Sequence, residues 1–273
     1  HIWHHGEPYL SETYRRELLQ ARFISEIGHL SCPSIPTMKS FLPREGLWPP
    51  SDAWKHHFGT LDDEHAWFGD PQRREKMEKA MESFWGSIPE SLEEYVYVSQ
   101  LLQALAYKTW IEEARLNKVN GGILVWNLTD SWPQFSDSVI DYYRRPKLAY
   151  FLARLAFKPL HVILKPGDGK GKTVAYIVND YRSRQHVLLV LERAVHQGSR
   201  EKILEKNLYV EPCSAVKACE VAVEIRDPSR EYVLARLLRN DVEISRNILC
   251  FTSPRSLAFR YEEPLLGRPY GVY

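Results

Sequence analysis

Arg22-Phe23-Ile24-Ser25-Glu26-Ile27-Gly28 is the stretch from which the fold of this chain is read. Phe23, Ile24 and Ile27 predict a buried strand, and Gly28 is placed to end it. Glu26 contradicts its surroundings. An ionised carboxylate in an apolar strand is costly unless it is hydrogen-bonded or functional. Two readings of it stand on the residues alone: a reactive group at a strand end, or a structural carboxylate paired with Arg22 or another base.

Upstream, Ser11 to Gln20 carries Tyr14 and Leu18/Leu19 at helical spacing, with Ser11 as N-cap, and leads into the strand. After Gly28, Cys32-Pro33-Ser34 forms a loop, and the next helix has Pro36 in its first turn. Pro71 to Trp85 and Ser91 to Lys118 also read as helices. In the second, Tyr95, Val98, Leu102, Leu105 and Ala106 keep a helical period, with Glu93/Glu94 early and Arg115/Lys118 late, as the helix dipole favours. Asn120-Gly121-Gly122 then opens an apolar strand, Ile123 to Trp126. Tyr142 to Phe157 predicts a closing helix with Pro146 in its first turn. Strands separated by helices and glycine turns are the repeating unit of a (β/α)8 barrel, whose chemistry lies at the C-terminal strand ends.

Between Pro43 and Asp70 periodicity fails. Prolines punctuate the segment, and Trp48, Trp54, Phe58, Trp67 and Phe68 mix with His56, His57 and His65. An irregular segment this long reads as a functional loop over a barrel mouth. Trp48, Trp54 or Trp67 could then offer a flat stacking platform to a ligand, against self-packing through the loop's own aromatics. Neither His56/His57/His65 nor His1/His4/His5 has zinc-ligand spacing, so no metal site is expected.

After Lys158-Pro159 the pattern turns to short β-rich runs: His161–Lys165, Thr173–Asn179, His186–Leu191, Leu208–Val210, Ala218–Ile225, Tyr232–Arg239 and Ile248–Phe251. Pro166-Gly167-Asp168-Gly169-Lys170-Gly171 reads as a hairpin turn, since it lies between strands and lacks the phosphate-loop ending. The expected organisation is the C-terminal part of a TIM barrel over residues 1–158, followed by an immunoglobulin-like β-sandwich over 159–273. Cys32, Cys213, Cys219 and Cys250 have no metal or redox spacing. Free buried thiols are expected, with Cys213 and Cys219 on one strand face.

With 273 residues and 44% hydrophobic content, the chain can bury a large core. Its 36 basic and 35 acidic side chains nearly cancel, so no global field favours nucleic acid or an anionic membrane. No apolar run approaches a membrane span, and His1-Ile2-Trp3-His4-His5 is not a signal peptide. This abrupt opening without a start methionine reads as the interior of a longer protein, so the compartment is not legible.

Phe23-Ile24-Ser25-Glu26-Ile27-Gly28 resembles the Ser-Glu-Phe-Gly signature of glycoside hydrolase family 2, in which the glutamate is the catalytic nucleophile. Gly121-Gly122-Ile123-Leu124-Val125-Trp126-Asn127-Leu128-Thr129-Asp130-Ser131-Trp132-Pro133 is similar to that family's final barrel strand and the loop after it. Asp141-Tyr142-Tyr143 and Pro146-Lys147-Leu148-Ala149-Tyr150 resemble the β-mannosidase branch. The resemblance covers residues 1 to 160 well and the remainder loosely. Ile27 departs from it, standing where the family usually has an aromatic residue.

The resemblance implies a retaining exo-β-glycosidase acting on a β-mannoside or related β-glycoside, with no cofactor. Glu26 would be nucleophile, Trp126 part of the sugar-site floor, Trp3 or His4 a substrate contact, and Asp130 a hydroxyl partner or a turn-former. The family's acid/base glutamate follows an asparagine on the fourth barrel strand, and this chain contains no Asn-Glu pair. By itself the chain is expected to be inactive, and to associate with the N-terminal part of the same protein or with itself through an open barrel edge. The rival reading is a non-catalytic carbohydrate-binding or scaffold module. Sugar identity, among mannoside, galactoside, glucuronide and glucosaminide, rests on analogy.

Overall fold

A computed structural model describes residues 1–4, 6–58, 72–169 and 171–271. His5, His65, Trp67, Phe68, Asp70, Pro71 and Lys170 lie outside the described residues. The chain forms two compact units, His1–Ala153 with Gly271, and Arg154–Tyr270.

In the first unit, α1 (Glu12–Gln20) starts at Ser11, whose hydroxyl accepts from the Tyr14 amide at 3.3 Å. It feeds β1 (Ile24–Ile27), which pairs in parallel with β2 (Ile123–Val125). Between them run α2 (Ile35–Phe41), α3 (Asp52–His57), α4 (Arg73–Trp85) and α5 (Leu92–Leu116). α4 stops at Gly86, whose φ of 90° is a left-handed cap that favours glycine. α5 is buried around most of its circumference, which makes it the axis of the unit. Its polar residues are tied off: Gln100 donates to the Cys32 carbonyl at 3.1 Å and accepts from the Leu148 amide at 3.0 Å.

The helix that follows β2, α6, covers only Leu148–Ala156, shorter than expected. Tyr142 to Pro146 instead forms a turn closed by Asp141, whose backbone N–H donates to the Arg145 carbonyl at 3.0 Å while its carboxylate accepts from the Arg145 amide at 2.9 Å. Arg144 takes a left-handed φ of 65°, and Pro146 bridges back to Ile140, so no helix can start before Lys147.

The second unit holds β3 (Leu160–Pro166), β4 (Lys172–Asn179), β5 (Gln185–Val195), β6 (Arg200–Val210), β7 (Ser214–Ala222), β8 (Glu231–Arg239) and β9 (Val242–Cys250). They form two antiparallel sheets, ordered β3-β4-β7 and β6-β5-β8-β9. Alternate residues of both, including Val162, Ile177, Leu189 and Val233, enter one core. The segment 166–171 joins β3 to β4, with Gly167 donating to the Lys172 carbonyl at 2.8 Å. β6 and β9 are much longer than the apolar runs that announce them. Both are edge strands, and charged residues such as Arg200, Glu201, Lys202, Glu243 and Arg246 hide their period.

The thiols are free, but only Cys32 is buried, and burial pushes it up to about 12. Cys213 is exposed in a turn with φ 48°, so it shares no strand face with Cys219. Among the described residues no helix is long and apolar enough to cross a membrane.

Candidate active site

β1 lies between two parallel neighbours. On one side Ile2 bridges to Ile27, and its amide donates to the Glu26 carbonyl at 2.9 Å. On the other the Trp126 amide donates to the Ile27 carbonyl at 2.8 Å. The register shifts between Ile24 and Ile27, where β1 carries one residue more than β2. Such bulges re-aim a side chain beside a site. Ile24 and Ile27 stay in the core, at 1% and 0% exposure, while Glu26 keeps 31% of its side chain exposed. Phe23 is not part of the buried strand: it precedes β1, is exposed, and its ring crowds Gly122.

Because Ile2 is buried, strand alternation sends His1 and Trp3 to the opposite side, where the Glu26 carboxylate stands. Glu26 Oε2 lies 2.5 Å from His1 Nδ1 and accepts from Trp3 Nε1 at 3.2 Å. These are its partners, and Arg22 is exposed. Gly28 has a steric reason: a Cβ there would stand 2.7 Å from Trp3 Cζ3 and 2.8 Å from the Trp126 carbonyl oxygen.

His4 turns away. Its ring sits edge-on to Tyr14 at 5.2 Å, and its Nε2 is 3.0 Å from Glu17 Oε2, an ion-pair distance without hydrogen-bond alignment. Of the two residues offered by the sequence, Trp3 meets Glu26. Trp126 directly follows β2 and is 48% exposed in this chain. Asp130 is buried, with Oδ1 accepting from Gln134 at 2.9 Å and Oδ2 from Ser136 and Ser138 at 3.0 and 2.8 Å.

Behind this face α5 supplies a polar brace that helical periodicity does not announce. Tyr107 Oη lies 2.7 Å from the Trp126 carbonyl and 2.6 Å from the Asp137 carbonyl, and accepts from the His29 amide at 3.3 Å. One turn earlier, Gln103 accepts from Ser31 at 2.7 Å and donates to the carbonyls of His29 and Asp137 at 2.7 and 3.0 Å. The residues that follow β1 and β2 are thereby fastened to one helix. Burial holds the Tyr107 phenol well above its ordinary value, keeping it a donor. The Asp137 carboxyl is raised by burial although Arg73 donates to it at 2.8 Å. Burial lowers Lys147, whose ammonium donates to the Ser136 carbonyl at 3.0 Å.

Where it is described, the aromatic segment includes α3 and packs partly on itself and largely against residues outside it, Tyr95, Trp132 and Phe135. Trp54 is fully buried, stacks on Phe135 at 4.5 Å and donates to the Gly46 carbonyl at 2.9 Å, so it offers no platform to solvent. Trp48 packs against Trp54 and Tyr95. His57 stacks on Trp132 at 5.5 Å, with Nδ1 2.8 Å from the Pro133 carbonyl. Among the described residues no group of three metal-binding side chains is assembled.

A β-mannosidase B of Thermothelomyces thermophilus is 32% identical over 167 residues, which are 59% of this chain and 18% of that protein. The β-mannosidase B of Aspergillus flavus is 29% identical over the same length. Among solved structures, the β-D-mannosidase of Dictyoglomus thermophilum superposes with a TM-score of 0.77 at 27% identity, over 94% of this chain and 30% of that one.

The chain is β-mannosidase-like.

The exo-chitosanase of Amycolatopsis orientalis, with a TM-score of 0.64 at 17% identity over 85% of this chain and 27% of that one, shares the fold alone. No family model matches the chain. This β-mannosidase-like chain, with its helices and antiparallel sheets, spans a minor part of each of these relatives, 18% of the curated proteins and 30% of the Dictyoglomus enzyme.

Proposed function

We propose that the chain is the C-terminal part of a retaining exo-β-mannosidase, closing a TIM barrel at residues 1–158 and continuing into an immunoglobulin-like β-sandwich at 159–273. Glu26 is its nucleophile. The observation that carries this reading is the partly exposed carboxylate at the bulged end of a parallel strand, with two donors on one oxygen, Oε2.

In this mechanism Glu26 Oε1 bonds to the anomeric carbon as the bond to the aglycone oxygen breaks, and that oxygen takes a proton from an acid outside this chain. Water then gives its proton to the same group and displaces Glu26, releasing the sugar with retained configuration. The two carboxyl groups of such a site stand about 5–5.5 Å apart. Trp126, half exposed beside β1, is suited to meet the apolar face of the sugar. The partners of the chain are the terminal β-linked mannoside and the rest of its own polypeptide, and the isolated 273 residues turn over no β-mannoside.

Glu26→Gln in the full-length protein tests this. Turnover of an aryl β-mannoside falls about 10³-fold or more with folding intact, and a 2-deoxy-2-fluoro-mannosyl fluoride labels Glu26 in the unsubstituted protein. Undiminished turnover, with label elsewhere, refutes the assignment and leaves the non-catalytic module.

A further inference from the structure

The indole of Trp3 is held by constraints that ordinary packing does not need. Ile2 pairs with the Glu26–Ile27 backbone and is buried, which commits Trp3 to the carboxylate side. Gly28 leaves the space in which the ring lies, because any Cβ would stand 2.7 and 2.8 Å from two of its carbons. The ring thus set donates through Nε1 to Glu26 Oε2 at 3.2 Å. An indole N–H is a donor only and does not titrate, so the bond is made to Glu26 whatever happens to neighbouring charges. His1 reaches the same oxygen, but an imidazole nitrogen donates or accepts according to its tautomer.

We infer that Trp3 is a positioning residue: its N–H fixes Oε2 as the non-attacking oxygen of Glu26 and stabilises the carboxylate when it departs from the sugar. The inference rests on the proposed nucleophile. In the covalent intermediate Oε1 is the ester oxygen and Oε2 the ester carbonyl. When water attacks the anomeric carbon, its proton goes to the base outside this chain and the C–Oε1 bonding pair returns to Glu26. The charge spreads onto Oε2, where the Trp3 N–H meets it. A hydrogen bond to a charged acceptor is roughly twice as strong as one to a neutral carbonyl, so the indole favours the second half-reaction.

The test replaces Trp3 by benzothienylalanine in the full-length protein, which keeps the bicyclic ring and removes only the N–H, with Trp3→Phe as a second variant. On a dinitrophenyl β-mannoside, for which loss of the enzyme–sugar bond limits turnover, kcat falls about tenfold. KM falls with it, because the intermediate accumulates, and kcat/KM changes less than kcat. An isostere with unaltered kcat reduces Trp3 to packing and overturns the inference. So does a raised KM at unaltered kcat, which marks a substrate contact. Glu26→Gln run alongside separates the two claims: its loss of turnover with a silent isostere overturns the role of Trp3 alone, and retained turnover overturns both.

Discussion

Gly28→Ala puts the packing beside the candidate nucleophile to a quantitative test. The new methyl would stand 2.7 Å from Trp3 Cζ3, 2.8 Å from Trp3 Cη2 and 2.8 Å from the Trp126 carbonyl oxygen. Carbon pairs are comfortable at about 3.5–4.0 Å, so the overlap with the ring is about 0.8 Å or more. The carbonyl is not free to yield, because the buried Tyr107 hydroxyl lies 2.7 Å from it. The indole must move instead, by about 1 Å, which carries its N–H beyond the roughly 3.2 Å range of a good hydrogen bond to Glu26. Gly28 is outside the left-handed region, so alanine meets no backbone strain and gains about 0.4–1 kcal/mol from a stiffer unfolded chain. Overpacking opposes this with about 1–3 kcal/mol. The expected result is a net destabilisation of the first unit, read by urea unfolding followed by tryptophan fluorescence. It is accompanied in the full-length protein by a fall of about tenfold in kcat, the worth of a lost bond to a charged group. A variant as stable as the parent, with unaltered kcat, would falsify the placement of Trp3 over Gly28.

Tyr107→Phe strips the shared hydroxyl from the carbonyls of Trp126 and Asp137 and from the amide of His29. Unfolding free energy is expected to drop by about 1–3 kcal/mol for groups left buried and unsatisfied, and an unchanged urea midpoint refutes the brace. Lys147 has a folded value lowered by burial, so between that value and its unfolded value of about 10.4 the unfolded chain binds more protons. Its contribution to stability therefore rises with pH across that window. Lys147→Met should flatten the rise in a series of urea midpoints taken from neutral pH to about 10, and a variant that retains the full slope excludes Lys147 as its source.

Glu26 was legible because it breaks a local rule: a charge interrupts an apolar run just before a glycine, and no other position is needed to notice it. Its donors were not legible in the same way. Trp3 reaches it only because Ile2 pairs with Ile27, a contact across a separation that no helical or strand period encodes. The sequence therefore left Trp3 and His4 level, while burial of Ile2 and the lean of His4 onto Tyr14 separate them. Tyr107 and Gln103 were hidden for the opposite reason. The apolar stripe read in α5 includes neither position, and a helical tyrosine reads as an apolar ring until its hydroxyl is found between two carbonyls. The same holds for Trp54, whose place in a loop suggested a platform until its N–H was found spent on Gly46. In the second unit the interior strands were readable from their apolar runs, whereas β6 and β9 are the outer strands of their sheet and carry charges that interrupt the apolar pattern. What sequence exposes, then, is a residue at odds with its own segment. What it conceals is the residue from another segment that resolves the conflict, and for this chain that residue is the tryptophan facing Glu26.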